Sequence, residues 1–214
     1  MKVSSLRILI ADDHTIFRQG IKQMLLEFPE IERVDEASSA TEVFQSISNN
    51  DYDCLLLDIF MPGRSGIDIL KQINEFNPAL PVLILSMYHE DMFGIRTIKA
   101  GADGYLMKNC SLEDLRKAIC QVCRGDKFIS SHLANRLAVE VRNESKKRPH
   151  EQLTDRQLQI LIMISSGTRV SQIAQELSLS VKTINTHRAN ILQKMKMQNN
   201  AQLIRYALTQ NLIF

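Results

Sequence analysis

Asp12, Asp13, Asp58, Ser86 and Lys108 share one setting: each follows a short apolar run. Ile8-Leu9-Ile10-Ala11 leads into Asp12-Asp13, and Cys54-Leu55-Leu56-Leu57 into Asp58. Val82-Leu83-Ile84-Leu85 leads into Ser86, and Tyr105-Leu106-Met107 into Lys108. Three carboxylates gathered together repel one another and are tolerable at neutral pH only beside a cation. Hard oxygen ligands with positions left for water suit Mg2+, which also takes phosphate oxygens. Lys108 adds a point charge able to pair with a phosphoryl oxygen, and Ser86 adds a hydroxyl donor. Asp58, central in the set, is a candidate nucleophile that would form an acyl phosphate. Taken singly, each residue has a plainer use. Asp12-Asp13 would cap a helix, Asp58 a turn, and Lys108 would be an ordinary surface lysine. The conjunction at four run ends is what favours a shared site.

The elements that must bring these residues together can be read from the same stretch. Each apolar run is short and uncharged, as a buried strand should be, and Pro62-Gly63 closes the one that ends at Asp58. Ile31 to Ala37 reads as a further short strand. Between the strands, apolar residues recur at helical spacing: Ile16, Ile21, Met24, Leu25 and Phe28; then Val43, Phe44 and Ile47; then Ile67, Ile69, Leu70 and Ile73. Ser39 and Ser111 stand where caps belong, and Gly101 where a helix should stop. Strict alternation of five strands and five helices predicts a doubly wound five-stranded parallel sheet. Parallel strands put their C-terminal ends on one edge, and ligands bind there.

Charge divides the chain in two. Residues 1–130 hold 14 Lys/Arg against 19 Asp/Glu, whereas residues 131–214 hold 12 against 5. An acidic part joined to a basic one suggests two domains, the second with an anionic partner such as nucleic acid. No apolar stretch approaches the roughly 18 residues of a membrane helix. Met1 to Ser5 has no signal-peptide core, so a cytoplasmic location is expected, without a membrane partner. Cys120 and Cys123 have CxxC spacing but no second pair, and neither zinc nor redox chemistry is expected of them. Beyond residue 131 a helix over His132 to Arg142 is expected, then a polar linker tail from Asn143 to Gln152. Only helices follow. Thr154 to Gln157 has capping-box spacing. A short helix from Val170, a turn at Ser178-Leu179-Ser180 and a longer helix from Val181 match a helix-turn-helix.

The order of these pieces resembles the receiver domain of two-component response regulators. Leu9-Ile10-Ala11-Asp12-Asp13-His14, Leu56 to Gly63, Leu85-Ser86 and Gly101 to Lys108 carry the resemblance. It implies that Asp58 is the phosphoacceptor, and that Asp13, Asp58 and the Phe60 backbone carbonyl hold Mg2+, with Asp12 acting through water. Ser86 and Lys108 would contact the phosphoryl group. Tyr105 would be a switch aromatic that turns inward when Ser86 moves. Asn109 departs from the proline many receivers carry there. The stretch from Leu153 to Met195 resembles the LuxR-type helix-turn-helix, and the pairing of the two is the mark of the NarL/FixJ family. Some of its residues are similar to the branch that contains GacA and UvrY.

The resemblance implies a receiver over 1–127, a linker over 128–152 and a four-helix DNA-binding domain over 153–214. A sensor histidine kinase would donate the phosphoryl group, and the phosphorylated chain would bind double-stranded promoter DNA as a homodimer. Lys182, Asn185, Thr186, His187, Arg188 and Ala189 are the expected DNA-facing residues, and the helix over Asn200 to Leu208 the dimer contact. Lysine and arginine would set register on phosphates, while Asn185 and Thr186 suit base edges. Gln157 and Asn185 depart from the family's usual Glu and Lys. An enzyme using Asp58 on an outside phosphate ester is the rival reading. Such hydrolases want a second carboxylate two residues on, and that position is Phe60.

Overall fold

The structure, a computed structural model, describes residues 5–61, 63–142 and 148–213. The Met1–Ser4 start, the Pro62 stop and Asn143–Lys147 of the expected linker tail lie outside these. The chain divides into two compact units, Met1–Val139 and Glu140–Phe214.

Five strands and five helices alternate through most of the first unit. They are β1 (Leu6–Ala11), α1 (Thr15–Leu25), β2 (Ile31–Ala37), α2 (Ala40–Asn49), β3 (Cys54–Asp58) and α3 (Gly66–Phe76). Then come β4 (Val82–Ser86), α4 (Glu90–Lys99), β5 (Gly104–Met107) and α5 (Leu112–Val122). The strands pair parallel in the order β2-β1-β3-β4-β5. Strand order reverses between β1 and β3, which opens a crevice at their C-terminal ends. Register sets Ala11 beside Leu57 and Asp58 beside Leu85, so the polar run ends stand along that edge. Both central strands are buried throughout, because helices cover both faces. One face packs Ile8, Ile10, Leu56, Leu83 and Leu85 against Leu25 of α1 and Leu115, Ala118 and Ile119 of α5.

The α1 pattern differs from expectation. Ile16 is 89% exposed and Met24 47% exposed, while Leu25 is buried with Phe17, Ile21 and Phe28 packed on the core. The inward stripe therefore runs through Phe17, Ile21 and Leu25, four residues apart, and it leaves Ile16 on the far side. Buried beside that stripe is a charge, Arg18.

Gly66 begins α3 against the β3 end. A Cβ there would sit on the Asp58 carbonyl oxygen, and the Gly66 amide donates to the Ile59 carbonyl at 2.7 Å. Residues after α5 stay on the first unit: Phe128 bridges to Gly104 beside β5. Helix α6 (Ser131–Arg142) follows. His132 Nε2 and an Arg136 guanidinium nitrogen each lie 2.7 Å from Asp91 Oδ1 in the first turn of α4. Buried Leu133 packs against Gly94, where an added Cβ would come within 2.9 Å of its Cδ1.

The second unit is helical: α7 (Asp155–Ser165), α8 (Val170–Glu176), α9 (Val181–Lys194) and α10 (Asn200–Thr209). Part of the polar stretch read as linker tail is structured, for Pro149–Gln152 is a 3-10 turn. His150 in that turn is buried and its Nδ1 lies 2.7 Å from the Tyr206 hydroxyl. The expected capping box is present, with Gln157 taking the Thr154 amide at 3.1 Å. An amide does this as well as the family's usual carboxylate. The α9 helix ends at Lys194 and buries Ile184 and Ile191. No helix among the described residues is long and apolar enough to cross a membrane.

Candidate functional site: an acidic pocket at the sheet edge and a basic helix

The sheet edge gathers residues far apart in sequence. Lys108 Nζ lies 2.6 Å from Asp12 Oδ2 and 2.8 Å from Asp58 Oδ2. All three side chains are nearly inaccessible, Lys108 being 3% exposed. One ligand atom from each of Asp12, Asp13, His14 and Asp58 falls within 4.8 Å of the others. Burial pushes the Asp58 carboxyl up from 3.8 to about 6, against the pull of Lys108 and with a further push from Asp12. The same carboxylates, opposed by burial, hold the Lys108 ammonium above its usual range. Asp13 Oδ1 is buried and makes no hydrogen bond, although His14 Nδ1 lies 3.0 Å away. A buried carboxylate oxygen lacking a donor is costly unless something cationic joins it. The set of hard oxygens therefore fits a small divalent cation, with Asp12, Asp13 and Asp58 as the candidate carboxylates.

The other expected receiver residues flank this cluster. The Phe60 backbone amide hydrogen-bonds to the Asp58 carboxyl and holds it down. The Phe60 ring packs edge-on to Tyr88 at 4.8 Å and Phe93 at 5.2 Å. Ser86 is fully buried, and its Oγ accepts the Tyr88 amide at 3.1 Å. Tyr105 already points inward, and its hydroxyl donates to the Tyr88 carbonyl at 2.6 Å. Burial raises its pKa well above the ordinary tyrosine range. Three residues with no expected role also belong here. His14 contacts both neighbouring carboxylates, Phe17 lies under the Lys108 ammonium at 4.8 Å, and Arg18 donates to the Asp12 carbonyl. Nothing in apolar periodicity marks an inward-facing arginine, so Arg18 was not legible as a site residue.

In the second unit, Lys182, Asn185, Thr186 and Ala189 are exposed on α9, while His187 and Arg188 are half-buried. Thr186 Oγ1 turns back to the Lys182 carbonyl at 3.0 Å. Arg188 Nε donates to Asn200 Oδ1 at 2.7 Å and so ties α9 to α10. Burial, aided by the Arg156 charge, lowers the His187 pKa, and its Nδ1 is buried without a hydrogen bond. The α9 cap is Ser180, whose Oγ accepts the Thr183 amide at 3.0 Å.

Comparison with known proteins matches both units. Residues 8–120 match the response regulator receiver domain, and residues 151–207 match the luxR family of bacterial regulatory proteins. The oxygen regulatory protein NreC of Staphylococcus carnosus is 34% identical over 97% of this chain and 99% of its own length. The chain is a response regulator of the NarL/FixJ family.

The response regulator GacA of Pseudomonas aeruginosa is 30% identical to this response regulator, over 97% of it and 98% of GacA. That identity is no higher than to NreC, so it does not single out the GacA branch. The solved RcsB–DNA complex is similar at 25% identity, with a TM-score of 0.58 over 97% of this chain and 99% of that one. The protein thus pairs a receiver with a LuxR-type DNA-binding domain and is a transcriptional regulator of a two-component system, not an enzyme.

Proposed function

We propose that Asp58 accepts a phosphoryl group from a sensor histidine kinase in a Mg2+-dependent reaction, and that this tightens promoter binding by a dimer. What carries the reading is the cluster of Asp12, Asp13, Asp58 and Lys108 at the sheet edge, with Asp12, Asp58 and Lys108 buried and one Asp13 carboxylate oxygen left without a hydrogen bond. Asp58 and Asp13 would hold Mg2+, with the Phe60 carbonyl as a third protein ligand and Asp12 acting through water. Bound there, the ion would offset the negative charge of the incoming phosphoryl oxygens. Asp58 attacks as a carboxylate. A bond from its oxygen to phosphorus forms as the phosphorus–nitrogen bond to the donor imidazole breaks, and the electron pair stays on the imidazole. Lys108 would turn from Asp58 to a phosphoryl oxygen, and Ser86 would donate to another.

Ser86 leaving the Tyr88 amide would disturb the loop before α4, where Tyr105 is also bonded. Helix α6 rides on the first turn of α4, which makes it the natural carrier of that change. We place the join between the receiver (1–127) and the DNA-binding domain (153–214) within residues 128–152, with α6 on the receiver side. In the second domain α9 would enter the major groove. Lys182 would set register on phosphate, and Asn185 and Thr186 would read base edges. Twofold pairing through α10 would ask for half-sites about one helical turn apart.

The direct test is incorporation of phosphoryl from a small acyl-phosphate donor, followed by intact-protein mass. Wild type should take up one group only with Mg2+ present, and Asp58→Asn none. Equal labelling of the two proteins would remove Asp58 from the role.

A further inference from the structure

A buried arginine on α1 needs a reason, because arginine is rarely buried unless its charge and donors are satisfied. Arg18 meets that condition in a particular way. Its Nε lies 3.0 Å from Glu36 Oε2 on β2, and its NH1 donates to the Asp12 backbone carbonyl at 2.6 Å. Glu36 is itself steadied by Lys22 at 2.9 Å, and Lys22 and Arg18 together hold its carboxyl below the usual range against burial.

The Asp12 main chain is thereby held on both sides. Its amide donates to the Ala37 carbonyl of β2 at 3.1 Å, and its carbonyl accepts from Arg18. That carbonyl shares one rigid plane with the Asp13 amide. Turning the plane would swing the Asp13 Cα and the direction of its carboxylate. Asp13 Oδ1 makes no hydrogen bond and has the exposed His14 ring 3.0 Å away, so the main chain has a large share in setting that direction. The planar guanidinium fork serves a carbonyl and a carboxylate at once, which a lysine ammonium on a flexible stem does less well.

We propose that Arg18 is a positioning residue for the acidic pocket, fixing the Asp12–Asp13 peptide so that the Asp13 carboxylate faces the cation, with Glu36 orienting Arg18. The inference rests on the reading of this pocket as a Mg2+ site. Residues that orient metal ligands from behind typically contribute about 10- to 100-fold to metal affinity. Removing Arg18 should therefore weaken Mg2+ by about tenfold. Phosphoryl labelling should return towards the wild-type rate when Mg2+ is raised to saturation.

The test is calorimetric titration of the full-length, metal-free protein with Mg2+ alone, on wild type, Arg18→Ala, Arg18→Lys, Glu36→Gln and Asp13→Asn. Thermal unfolding is recorded beside each titration, so that affinity is read only on folded protein. Weakening in the order Asp13→Asn, Arg18→Ala, Arg18→Lys, Glu36→Gln supports the positioning role. A purely structural role would lower the unfolding temperature and leave Mg2+ affinity of the folded protein unchanged. Should Arg18→Ala fail to fold, Arg18→Lys and Glu36→Gln decide the matter by the same criterion. Wild-type affinity in the folded Arg18 and Glu36 variants, with Asp13→Asn weakened, overturns the positioning role alone. A wild type that takes up no Mg2+ overturns the metal reading and the positioning role with it.

Discussion

In the receiver, Asp12, Asp58 and Lys108 arrive from three strand ends and are almost wholly buried. In the DNA-binding domain, Lys182, Asn185, Thr186 and Ala189 sit on one helix and face outward. The first arrangement makes chemistry and stability inseparable, because the buried Lys108 ammonium is paired with both carboxylates at once. The second lets them separate, because exposed side chains on α9 take no part in the packing of Ile184 and Ile191. Substitutions should therefore hurt the first region twice and the second once.

The largest effect expected on folding is at Lys108. Lys108→Met would leave Asp12 and Asp58 buried without their cation, and breaking one half of a buried pair costs about 3–5 kcal/mol. Urea unfolding should show it, and added Mg2+ should restore part of the loss. Gly66→Ala comes next, since its methyl would press on the Asp58 carbonyl. Overpacking of this kind costs about 1–3 kcal/mol, and the phosphoryl labelling rate should fall as the β3 end shifts. On α9 the expectation reverses. Asn185→Ala and Lys182→Ala should each leave stability within about 0.5 kcal/mol of wild type. Asn185→Ala should relax base preference by about 1–3 kcal/mol at one position. Lys182→Ala should weaken all sequences alike and flatten the salt dependence by about one unit of slope. A large loss of stability in either α9 variant would break the comparison.

The two regions should also move in opposite directions with pH. Asp58 has a folded pKa raised from 3.8 to about 6. Between those values the metal-free folded receiver keeps a proton that the unfolded chain gives up. This contribution to stability falls as pH rises through that window. His187 has a folded pKa lowered from 6.5. Below that value the unfolded chain takes a proton that the folded domain resists, so its contribution falls as pH drops. Amide exchange in metal-free full-length protein, at about pH 5 and about pH 7, reads both regions separately. Asp58→Asn should remove the first trend and His187→Gln the second.

Much of the receiver was legible because its signals are local. Four apolar runs each ended in a polar residue, and the alternation with helices fixed a sheet whose edge collects those ends. The edges of that reading failed where tertiary packing decides. Ile16 and Met24 fit a helical period as well as Phe17 does, and only the placement of α1 on β1 chooses between them. Arg18 was invisible for a related reason: its role depends on Glu36, which lies on the neighbouring strand. Helix α6 was readable as a helix, but its clasp on Asp91 joins residues about forty positions apart. In the DNA-binding domain the turn and caps were readable. Which α9 side chains stay free was not, as Arg188 turns to Asn200 on another helix.

On the function proposed above, charge added at Asp58 governs what α9 does. Promoter-DNA affinity of the full-length protein, measured with Mg2+ before and after treatment with an acyl-phosphate donor, tests it most directly. Wild type should tighten on treatment, and Asp58→Asn should stay at the untreated value. Equal affinity of the two proteins in both conditions would contradict the claim.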